Sequence, residues 1–226
     1  MSDESEAVKA IAEASKSGID GMREFGAFIA GFIGGPLTEI SGMVQDRLSY
    51  MRIESQLQLM KKAKTLMHEI GMSAPTRSLP MKFAIPLFSG ASLEDDDDLQ
   101  VLWASLLVNA ANAESGIDQS RVYIDILERL SPLEAKILNT IYSFPFDKIQ
   151  HNGVFTYALP DNVFLGDENA KKTDLQPNYE IAKALSRLNA LGCIKFKATW
   201  GGGENYSWVN PTLLGDSFVR ACRVVK

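Results

Sequence analysis

The chain is poor in the residues that metal and thiol chemistry require. Its 226 residues include 2 cysteines and 2 histidines. Cys193 and Cys222 are too few for a disulfide framework, and both stand among apolar neighbours, which predicts buried thiols in a reducing compartment. His68 and His151 belong to no H-E-x-x-H motif and share no metal-ligand spacing with cysteine. The glycine triplet Gly201-Gly202-Gly203 lacks the Lys-Ser/Thr of a phosphate loop, and no nucleophile elbow or dinucleotide fingerprint is present. No catalytic residue, metal or cofactor is expected, and the chain is predicted not to be an enzyme. Apolar runs of the ~18–20 residues that span a bilayer are also lacking. The N-terminus MSDESE is acidic, the opposite of a secretory signal's positive start. A cytoplasmic protein is expected, with peripheral attachment to the inner membrane left open.

Charge of both signs is plentiful, and unevenly spread. Residues 1–130 carry 12 basic and 19 acidic side chains, and residues 131–226 carry 11 and 9. The first part is therefore acidic and the second slightly basic, within a net charge of −5. Such a balance excludes nucleic-acid binding by bulk charge alone. It points to two units, with expected boundaries of 22–130 and 131–226 after a flexible segment 1–21.

The clearest helical pattern is Ser92 to Asn112. Leu99, Leu102, Trp103, Leu106 and Leu107 recur at i, i+3, i+4, i+7 and i+8, a broad face that predicts the core element of the first unit. Ser92 with Asp95 has capping-box spacing, and the acids up to Asp98 suit a helix N-terminus. The same acids lack the alternating ligands and glycine turn of a cation loop. Phe25 to Thr38 is uncharged. Within it Phe25, Phe28, Ile29, Phe32 and Ile33 share a helical face, and small residues recur four apart. This face suits a buried core helix, or else contact with a membrane or a second copy. A helix of about 50 Å is expected from Gly35-Pro36 to Ile70. Beyond it, Pro86 is expected to limit Ser73 to Ser89 to a turn and a short helix.

The acidic helix start running into L-x-x-L-W-A-x-L-L-x-N-A, here Leu99, Leu102, Trp103, Ala104, Leu106, Leu107, Asn109 and Ala110, resembles the signature of the abortive infection alpha family of bacterial phage-defence proteins. GPLTEISGMVQDRL from Gly35 to Leu48 and YIDILERLSPLEAKIL from Tyr123 to Leu138 are similar to that family as well. The resemblance implies a role in phage resistance and carries no catalytic motif with it.

The last part opens on Ser131-Pro132, with Ser131 and Glu134 at capping-box spacing. A strand Val154–Leu159, one helical turn at Pro160–Leu165, a helix Tyr179–Leu191 and a hairpin of Cys193–Thr199 with Tyr206–Val209 are expected next. That order predicts a mainly α protein ending in a winged helix-turn-helix-like unit with a small β-hairpin. In such a unit Lys183, Arg187 and Asn189 would face DNA from the second helix, and Lys195 and Lys197 from the wing. Three modes of action remain open: contact with a protein partner or with itself as a homo-oligomer, a membrane-active segment 25–35, and DNA regulation.

Overall fold

The computed structural model describes residues 20–21, 23–34, 53–166, 175–196, 201 and 203–224. The chain is mainly helical, with a small antiparallel sheet, and separates into two compact units between Ile124 and Asp125.

The first unit contains α1 (residues 23–33), α2 (Ile53–Glu69), α3 (Met81–Leu93) and α4 (Asp97–Ala110). Every residue of α4 from Trp103 onward is buried. That buried stretch lies at the centre of the unit, while the first turn and Val101 reach its surface, and α2 and α3 both pack against the helix. Leu99, Trp103, Leu106 and Leu107 are buried as the spacing predicts, while Leu102 is half-buried. The start of α4 differs from the expected capping box. Asp96 is the cap, its carboxylate accepting from the Asp98 and Leu99 amides at 3.0 Å. Ser92 instead lies inside α3, where its hydroxyl donates to the Phe88 carbonyl at 2.6 Å. The reason is that α3 runs on to Leu93, so the chain cannot begin a new helix at Ser92.

Pro86 does not stop α3. It sits inside a 13-residue helix and removes one backbone donor. An interior proline costs about 3 kcal/mol. Phe83, Leu87 and Phe88, all nearly inaccessible, return roughly 1.5–3 kcal/mol each on burial. Arg77 closes the other end of α4: its guanidinium donates to the Ala110 carbonyl at 2.7 and 3.0 Å and to the Ile117 carbonyl at 2.8 Å. Of the long helix expected from Gly35 to Ile70, α2 is the described part; residues 35–52 lie outside the described residues.

The short helix α5 (Arg121–Leu127) holds the division between the units. The second unit continues with α6 (Pro132–Ile141), α7 (Phe146–Ile149), β1 (Val154–Phe155), β2 (Phe164–Leu165), α8 (Tyr179–Ala190), β3 (Ile194–Phe196), β4 (Trp208–Pro211) and α9 (Leu213–Ala221). The Ser131–Glu134 capping box is present at α6. The sheet order is β2-β1-β4-β3, antiparallel throughout, with Val154 opposite Leu165 and Val209. Pro160–Leu165 is therefore not a helical turn, because Phe164 and Leu165 pair with β1. The closing strand starts at Trp208, two residues later than its sequence pattern predicts. Gly153 and Gly166 flank this β1–β2 hairpin, and a Cβ on either would collide with the Trp208 ring.

Tyr142, the C-cap of α6, joins three elements. Its hydroxyl donates to the Cys193 carbonyl at 2.6 Å and accepts from the Thr212 amide at 2.9 Å, which ties α6 to the starts of β3 and α9. Burial raises its phenol well above the ordinary range.

Candidate functional site

The outward face of α8 is the surface on which the sequence places nucleic-acid contacts. Its helix begins where the Asn178 side chain accepts from the Ile181 amide at 3.0 Å, so Asn178 is used as a cap. Ile181, Ala184, Leu185 and Leu188 turn inward. Tyr179, Glu180, Lys183 and Arg187 remain exposed, with Tyr179 at 77%. Lys183 and Arg187 are four apart and share this face.

Arg187 is already engaged. Its Nε lies 3.0 Å from Glu134 Oε1, and Glu134 is 1% exposed while Arg187 is 53% exposed. A terminal nitrogen of Arg187 also donates to the Arg129 carbonyl at 3.2 Å. Glu134 Oε2 in turn accepts from the Ser131 amide at 2.8 Å. The arginine thus neutralises a buried carboxylate and fixes α8 against the start of α6. Asn189 is half-buried, and Lys195 is exposed on β3 opposite Asn210. Lys197 lies outside the described residues. Tyr206, beside this face, bonds to the Glu204 carboxylate, which raises its phenol pKa.

The second candidate surface is the apolar face of α1. Phe25, Ile29 and Phe32 are buried, and Phe28 and Ile33 are half-buried. Phe25, Phe28 and Phe32 all meet Phe88 of α3, with ring centroids 6.0 to 6.3 Å apart and near-perpendicular planes. Phe32 and Phe28 lie 4.8 Å apart. The Leu79 amide donates to the Phe32 carbonyl at 2.8 Å. Among the described residues, no helix is long and apolar enough to cross a membrane.

A nucleophilic site is the third possibility tested by the geometry. Cys193 is buried and its thiol pKa is pushed up to about 12 by desolvation; Cys222 is buried and raised by the same cause. Thiols of this kind stay protonated at neutral pH and are poor nucleophiles. His68 and His151 are exposed. Among the described residues no group of three His, Cys, Asp or Glu side chains could hold a metal ion.

Sequence reasoning missed two features here. Exposed Tyr179 occupies the first helical position, where periodicity gives no burial signal. Tyr157 and Phe164 stack at 5.4 Å and both remain over a third exposed; their pairing depends on β2, which two residues cannot announce.

The model of the family described as abortive infection alpha matches residues 54–222, most of α2 through α9. Neither a curated protein nor a solved structure matches the chain.

Proposed function

Since the chain belongs to the abortive infection alpha family, we propose that it is a non-enzymatic phage-defence protein of the cytoplasm that works by contact with protein, its second unit serving as a winged-helix variant that holds a partner rather than DNA. The order α6, β1, α8, β3, β4 and the sheet neighbours β1-β4-β3 support the winged-helix reading. The departure is β2, which stands where such modules carry a short helix.

The observation that carries the choice of partner is the outward face of α8. Arg187 is committed to the buried Glu134, Glu180 is exposed beside it, and Tyr179 projects to solvent. DNA binding draws its strength from several phosphate contacts at once. Exposed aromatic side chains are instead the anchors of protein interfaces. The membrane reading has less support, because Phe25, Ile29 and Phe32 are used in the core of the first unit.

The test is phage plating on cells producing the full chain, Tyr179→Glu or Lys183→Glu, with a gel shift on duplex DNA at low salt. Tyr179→Glu is expected to restore plaques and Lys183→Glu to leave protection in place. A low-salt gel shift that Lys183→Glu abolishes together with protection would make DNA the target and overturn the protein-contact reading.

A further inference from the structure

In the first unit, α2 and α4 form an open cleft of about 350 Å³ lined by Lys61, Lys62, Thr65, Leu66, Asp97 and Val101. One lip is basic and the other acidic. Lys61 and Lys62 stand on α2, and Asp97 on the first turn of α4; Asp98, next on that turn, and Asp95, just before it, extend the acidic edge beyond the cleft lining. Lys62 and Asp97 pair across the cleft at 3.1 Å, so these two charges partly cancel within one copy. Lys61 and Asp98 are exposed and make no ion pair among the described residues. Between the lips Val101 is 40% exposed, and Leu93, next to the acidic turn, is 67% exposed.

This distribution suits one partner in particular. An open cleft crossed by its own ion pair is a poor pocket for a small molecule, which needs an enclosed site that buries most of its surface. A uniformly charged partner would be attracted by one lip and repelled by the other. A second copy of the chain meets both requirements. A two-fold axis running along the cleft exchanges left and right, so the basic lip of each copy faces the acidic lip of its mate. Val101 then meets Val101 near the axis. Isologous contacts need this kind of self-complementary patch, and they close at two subunits.

We propose that the α2–α4 cleft is the contact through which two copies of this chain form a dimer, matched by Lys61 against Asp98 in both directions. The inference rests on the reading that the protein acts through protein contacts, and it assigns one of them to self-association.

Sedimentation velocity of the full chain over a concentration series, at low and high salt, tests it. A reversible dimer weakened by salt is expected. Lys61→Glu or Asp98→Lys alone places like charges opposite each other and raises the dimer Kd by about tenfold or more, about 1.4 kcal/mol or more. The doubly reversed variant regains the match and the dimer. Val101→Glu abolishes it. All these positions are exposed, and circular dichroism identical to wild type shows that the fold is kept. A wild-type chain that is monomeric throughout overturns the interface, as does a dimer indifferent to all the substitutions. Phage plating is read separately, so protection by a monomeric chain removes this contact while leaving the role of Tyr179 standing.

Discussion

Glu134 is an ionisable side chain held almost entirely out of water, 1% exposed. It is tolerable there because one carboxylate oxygen accepts from the Ser131 amide and the other faces Arg187. Removing one partner of a buried pair costs more than the pair itself is worth, because the remaining charge is left unsatisfied. Arg187 is half-exposed, so water screens part of the effect. Arg187→Ala is therefore expected to destabilise the chain by about 1–3 kcal/mol, and Glu134→Gln with Arg187→Ala by less than the sum of the single changes. Urea unfolding of the four proteins in the cycle checks this. The Ser131–Glu134 cap was legible because it is a local spacing. The Arg187 partnership was not, because it joins residues far apart in the chain, and an arginine on a polar helix face has the same sequence signature whether it meets DNA or a carboxylate. The same limit hid Gly90, where a Cβ would come within 2.5 Å of the buried Trp103 ring. Glycine is what lets α3 approach that indole.

Among the elements, α1 changes meaning most. Its phenylalanines suit a membrane or a core equally well by composition, and packing against Phe88 distinguishes the two. Phe32→Asp is expected to destabilise the first unit by at least about 3–5 kcal/mol, the cost of deleting a buried phenylalanine with a buried charge added. Thermal melting followed by circular dichroism would show it as a lowered transition. A fully stable variant would mean that α1 lies free of the core. A chain beginning at Gly35 would lose the same contacts, so a loss of function on that truncation could not be assigned to a membrane. Elements with long apolar periods, α4, α6 and α8, were legible from spacing. Pro86 inside α3 was not, because burial of three large side chains outweighs a local helix penalty. Nor was β2, whose two residues are too few to establish a period.

For the whole molecule, uneven charge led to an expected boundary at 130–131, and the contacts divide the chain at Ile124–Asp125. The family was legible in the residues that pack α4 and in Tyr123–Leu138, both within the matched residues 54–222, whereas the likeness read at Gly35–Leu48 lies outside them. The mode of action was not legible, because the proposed winged-helix order and a few surface cations are shared by modules that bind DNA and modules that bind protein. The proposed protein contact rests on engaged Arg187 and exposed Tyr179. The central claim, that this chain defends by abortive infection, is tested most directly by growth of cells producing it at low and high ratios of phage to cells. Culture survival at the low ratio and collapse at the high ratio are predicted, because infected cells are lost before phage spread. Survival at both ratios, or no protection at either, would contradict the account.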